Sequence, residues 1–143
     1  RYADPGRYVA SARFSLDDGD SQTPVEVVTR SSPVVINNLE RTRKTLCYTF
    51  GQLKARLIAS NIVGAKNALV PKLRTGFENV WTNLGPELAT FAAGLGQIAT
   101  GSIGTEFAEL VVVRPSTIQP GEQDGFRIQF DRGRDGVWRI GGM

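Results

Sequence analysis

The chain has 143 residues, 41% apolar and 22% charged, with 17 basic and 14 acidic side chains. That size and balance suit one ordinary core, or one domain with a fragment of another, and the apolar runs are too short to span a membrane. With no histidine and Cys47 as the lone cysteine, the sequence lacks the commonest general base, a Ser–His triad, an internal disulfide and a cysteine metal cluster.

The net charge of +3 is unevenly spread: residues 30–75 hold nine basic side chains against Glu40 alone, and the flanking segments are acidic. One reading is an anionic-surface or nucleic-acid binder using Arg41, Lys44, Lys54, Arg56, Lys66, Lys72 and Arg74 as a basic face. The other is a solvated helix face balanced by its acidic neighbours. Nucleic-acid binders interleave aromatic residues with the basic ones, and here Tyr48 alone could serve, which favours the second reading.

The first residue is Arg, and no charged-then-apolar leader precedes it. A removed signal or a fragment of a longer protein is expected. Residues 7–16 alternate Tyr8, Ala10, Ala12, Phe14 and Leu16 with Arg7, Val9, Ser11, Arg13 and Ser15, the period of a half-buried strand. Asp17-Asp18-Gly19-Asp20 reads as a turn rather than a calcium loop, because four residues cannot supply six oxygens. Pro24–Arg30 then returns as a second strand. A two-stranded hairpin is marginal in water, so residues 1–32 are expected to pair with another element or chain.

Ser31-Ser32-Pro33 reads as a linker, and the second domain is expected over residues 33–143. Asn37 with Glu40 forms a capping box. It precedes a helix with the stripe Leu39, Leu46, Cys47, Phe50, Leu53 and Leu57. Gly51 within it predicts a bend or close contact, and the Cys47 thiol is expected as a small buried hydrophobe. Ser60-Asn61 ends that helix and caps a short one over Ile62–Val70. Pro71 and Pro86 each open a further helix. Their stripes are Leu73, Phe77, Val80, Trp81 and Leu84, then Leu88, Phe91, Ala92, Leu95 and Ile98.

From Gly94 onward glycines break the helical pattern. Strands are predicted at Thr105–Arg114, Gly125–Asp131 and Val137–Ile140, the last two joined by a tight turn over Asp131–Gly136. The predicted fold class is therefore α+β: an N-terminal β-hairpin, then helices packed on a curved antiparallel sheet. Trp81 and Trp138 are expected in one core.

Two resemblances sharpen this. PGRYVASARFSLDDGD resembles the closing hairpin of bacterial immunoglobulin-like domains. SNIVGAKNALVPKLRTGFENVWTNLGPELATFAAGL and the terminal GRDGVWRIGGM resemble extracytoplasmic bacterial domains of the nuclear transport factor 2-like, cystatin-like cone superfamily, over roughly residues 38–143. That resemblance implies a module of an exported protein, periplasmic or at the cell surface, with a protein partner or homo-oligomeric assembly.

It does not imply chemistry, because the cone fold hosts enzymes and binders alike. The sequence contains no phosphate-binding glycine motif, and no cofactor or metal is expected. A carboxylate-based isomerase could draw only on Glu106, Glu109 and Tyr48, with both glutamates expected on one strand face. The first reading is thus a non-catalytic accessory or interaction domain. The alternative is a small-molecule-binding or isomerase-like cone with an apolar pocket lined by Phe107, Phe126, Phe130 and Trp138.

Overall fold

The structure, a computed structural model, describes residues 6–9, 12–16, 25–29, 33–36 and 38–143. The chain divides into two compact units, Arg1–Asn38 and Leu39–Met143.

Among its described residues the first unit contains two antiparallel ladders. Strand β1 (Gly6–Val9) pairs with β4 (Pro33–Ile36), and β2 (Ala12–Leu16) pairs with β3 (Val25–Thr29). The single strand expected over 7–16 is therefore two, with different partners. Pro33–Ile36, expected to open the second domain, is strand β4. Its β-branched Val34, Val35 and Ile36 favour that state, and Pro33 takes the first strand position, where proline is tolerated. The turn at 17–20, the linker residues Ser31 and Ser32, and the Asn37 cap lie outside the described residues.

The second unit packs helices on one face of a four-stranded antiparallel sheet, so the predicted α+β class holds. The order is β5 (Gln97–Ile103), β6 (Phe107–Pro115), β7 (Gln123–Arg132), β8 (Trp138–Gly142). Strand alternation explains the division of its faces: Ala108, Leu110 and Val112 of β6 and Ile128 and Phe130 of β7 point into the core. Ala108, Phe130 and Ile140 lie opposite one another across three strands, which makes a continuous apolar row.

Helix α1 (Leu39–Ile58) covers this face with Leu46, Phe50, Leu53 and Leu57, all buried at the 3.6-residue spacing. It ends in a Schellman turn: Ser60 sits at φ 55°, and the Asn61 N–H donates to Arg56 O at 2.8 Å. Asn61 then caps α2 (Ile62–Lys66), its Oδ1 accepting from the Gly64 N–H at 2.8 Å. The predicted reach to Val70 is too long; Ala68–Val70 instead leave the helix and run beside β8. Ile140 N–H donates to Ala68 O, and Val70 N–H donates to Ile140 O. That contact covers one edge of the sheet.

Pro71 and Pro86 each stand in a single 3₁₀ turn, and these lead into α3 (Arg74–Leu84) and α4 (Leu88–Ala93). Trp81, Leu88, Ala92 and Leu95 complete the core, and Trp81 and Trp138 belong to it together, as expected. Ile98, assigned from the sequence to the α4 stripe, lies in β5. The chain turns at Gly96, whose φ of +79° suits glycine.

Candidate functional site

The last turn of α1, the outer flank of α3, the segment after α4, and β7 meet around a crevice of about 210 Å³. Leu57, Trp81, Leu95 and Phe126 form its inner wall, and Phe77, Val80, Phe91 and Met143 complete it. Phe77 and Trp81 pack with ring centroids 5.5 Å apart, tilted by 44°. Val80 and Phe91 are 52% and 42% exposed, so they form the mouth rather than the floor. Their positions explain why the sequence stripes are wider than core packing needs. Val80 of α3 and Phe91 of α4 are apolar residues that the core does not bury, and that excess was the available signal for an opening here.

The pocket expected from Phe107, Phe126, Phe130 and Trp138 does not exist as a set. Phe130 and Trp138 are buried in the packed core, and Phe107, one residue out of phase with Ala108, faces away from it and is 46% exposed. Only Phe126 reaches the crevice.

The carboxylate set is also dispersed. Glu106 and Glu109, expected on one strand face, are three residues apart, and a two-residue period sends an odd offset to opposite faces. Glu106 precedes β6 and is exposed; Glu109 is half-buried and pairs with Arg127 at 3.6 Å. Tyr48 stands on the outer side of α1, 67% exposed. Among the described residues no hydrogen bond joins Tyr48 to either glutamate, and no group of three acids, cysteines or histidines converges as a metal site.

Most of the basic face turns out to be spoken for locally. Lys44 pairs with Glu40 one turn earlier at 2.8 Å, and Lys66 pairs with Glu78 at 2.6 Å, joining α2 to α3. Lys54 Nζ donates to Gly96 O at 2.6 Å, Arg56 Nη1 to Gly64 O at 2.7 Å, and Arg74 Nε to Leu69 O at 3.3 Å. Cations placed on backbone carbonyls stabilise helix ends and loops. Arg41 and Lys72 are exposed. The charges gathered in sequence are thus spread through the second unit as clamps.

Cys47, expected in the core, is exposed, because the buried stripe of α1 passes through Leu46 and Phe50 instead. Gly51 lies inside the unbroken α1 and meets no neighbour: a Cβ built there touches nothing within 4 Å. At the β7–β8 turn Arg139 grips Asp135 with two hydrogen bonds of 3.1 and 2.7 Å. Together with the Val137 N–H, that guanidinium holds the Asp135 carboxyl down to about 2.

No helix among the described residues is long and apolar enough to cross a membrane. No protein-family model matches the chain. No curated protein matches it either. Among solved structures the chain is similar to a Campylobacter jejuni protein that carries the provisional name NTF2-like transpeptidase. The identity is 14%, over 75% of this chain and 100% of that one, with a TM-score of 0.45. The likeness is too distant to carry a family or an activity across.

Proposed function

We propose that this chain is a non-catalytic interaction domain of nuclear transport factor 2-like type, an accessory part of an exported bacterial protein, and that it anchors a partner by one apolar side chain. The partner is a protein, a second copy of this chain included. The observation that carries the reading is the chemistry of the crevice. The side chains that line it offer no carboxylate, amine, thiol or hydroxyl, only hydrocarbon, aromatic rings and a thioether. Such a surface can hold a group but has nothing with which to transfer a proton or attack a bond.

Size separates this from the small-molecule alternative. Sites for cofactors and drug-sized ligands run from about 300 to 1,000 Å³, and a dry cavity of about 150 Å³ takes one benzene. At about 210 Å³ the crevice fits one large side chain. The export of the parent protein is supported by the terminal signature GRDGVWRIGGM and by nothing in the crevice.

The test is titration with N-acetyl-phenylalanine methylamide, read by the fluorescence of Trp81 in a Trp138→Phe background. Saturable, millimolar binding is expected, on the order of −4 kcal/mol, with the alanine analogue at least tenfold weaker. Val80→Arg, at the mouth, should abolish it. Absence of saturable binding by both the phenylalanine and leucine compounds would overturn the anchor.

A further inference from the structure

The two edges of the four-stranded sheet are treated differently. The β8 edge is covered by Ala68–Val70, whereas among the described residues β5 pairs with β6 alone. An edge strand with an open side presents unpaired N–H and C=O groups, a template for another strand. The pairing at the hairpin end shows which groups those are. Gly104 N–H donates to Phe107 O at 2.8 Å, and Ile103 and Gly101 then lie opposite Ala108 and Leu110. Antiparallel pairs alternate between bonded and non-bonded, so Ser102 is directed inward to β6 and Gly101 and Ile103 direct their backbone groups outward.

Outside that edge runs a groove against α1. Near the start of α1 a depression of about 390 Å³ is lined by Leu39, Glu40, Arg43, Gly101 and Ile103, the two outward-directed residues among them. Further along, a depression of about 300 Å³ lies between Phe50, Gly51 and Lys54 of α1 and Ile98 of β5. The helix from 39 to 54 spans about 22 Å and the seven residues of β5 about 23 Å, so the two walls match in length. The groove is open because glycine stands in both walls. Gly51 costs its helix about 1 kcal/mol relative to alanine, yet no neighbour requires it. Its effect is to leave room.

Charge selects the occupant. The β5 wall, QIATGSI, has no ionisable side chain. On the α1 wall the groove is lined by Arg43 and Lys54 against Glu40, and Glu40 is paired with Lys44. We propose that the α1–β5 groove binds an extended acidic peptide segment, which adds as a strand to Thr100–Ile103 and sets its side chains against Leu39, Arg43 and the space over Gly51. The bulge between Ile98 and Thr100 shifts the register of β5 and limits the added strand to a few residues. This site is separate from the apolar crevice, and either can stand without the other.

The probe is the peptide acetyl-Val-Glu-Val-Glu-Val-amide, titrated into the full-length ¹⁵N-labelled protein. Amide shifts and slowed hydrogen exchange are expected at Gly101 and Ile103. The lysine version should bind at least tenfold more weakly, as should the acidic peptide N-methylated at its central valine, which keeps the charge and loses a donor. Arg43→Glu should weaken binding at least tenfold. Gly51→Leu should abolish it while α1 remains folded by circular dichroism. The proposal is overturned if Gly101 and Ile103 do not respond at millimolar peptide, or if the lysine or N-methylated peptide binds equally well. It is also overturned if the same amides shift with protein concentration alone, since the edge would then be taken by a second copy.

Discussion

Lys54 Nζ donates to the Gly96 carbonyl at 2.6 Å and so ties the middle of α1 to the turn that starts β5, 42 residues away. The same ammonium lies 5.9 Å from the centre of the Phe50 ring, so its stem packs on the core while its charge stays near the surface. Gly96 itself cannot be replaced cheaply. Its φ is +79°, and a Cβ there would overlap the Val113 carbonyl. Gly96→Ala is expected to cost about 2–4 kcal/mol, through strain and displacement of the β5–β6 ladder. Lys54→Met, which keeps the stem and loses one hydrogen bond, should cost about 1 kcal/mol. Urea denaturation of the two variants checks the order.

The two tryptophans test the core. Trp81 is 1% exposed and Trp138 is 8% exposed, one from the helical layer and one from the sheet, within a single cluster. Truncation of either to alanine should cost about 3–5 kcal/mol, a large part of the stability of a domain this size. A loss under about 1 kcal/mol for either would mean that the two layers do not share one core.

Much of the second unit was legible in the sequence because its signals are local and periodic. The α1 stripe through Leu46, Phe50, Leu53 and Leu57, the prolines that open α3 and α4, and the alternation in β6 and β7 each specify structure within a few residues. Strand β5 was not legible. Its sequence QIATGSI has two isoleucines five residues apart, two small residues and a bulge, so no period of two survives. An edge strand buries little and needs no alternation, and its assignment comes from the partner strand alone. The groove that depends on β5 was hidden for the same reason.

The candidate site was half legible. Strand parity predicts that Phe126 and Phe130 share a face, and they do, but it cannot tell which of them the helices cover. Coverage is set by where α3 and α4 end, and that depends on packing between distant segments. The basic block illustrates the complementary limit. Charge counting locates nine cations in 46 residues, but the carbonyls that Lys54, Arg56 and Arg74 satisfy exist only once the chain has turned.

Ser60 offers a stabilising change. It occupies the left-handed position after α1 at φ 55°, where a non-glycine residue is strained. Ser60→Gly removes that strain and adds chain entropy to the unfolded state, with a net gain of up to about 1 kcal/mol. Gly64→Ala, four residues on, should act the other way. Its Cβ would meet the Asn61 side chain and displace the cap of α2, at about 1 kcal/mol. Thermal melts should therefore shift in opposite directions.

The pH dependence of the β7–β8 turn follows from Asp135. Its carboxyl is held at about 2, below its ordinary 3.8, first by the Arg139 guanidinium and then by the Val137 N–H. A depressed carboxylate favours the folded turn at every pH above its unfolded value. That contribution is intact above about pH 4 and fades as the pH falls through 3.8 towards 2. The pair is exposed to solvent, so added salt should raise the Asp135 value. Carbon-detected NMR titration of the Asp135 carboxyl is expected to show a midpoint near 2 in the native chain and one close to 3.8 in Arg139→Gln. Gly133→Ala should move it in the same direction, because a Cβ there would push into the Asp135 carboxylate and break its grip on Arg139. A native midpoint near 3.8 would show that the two side chains do not hold this pairing in solution.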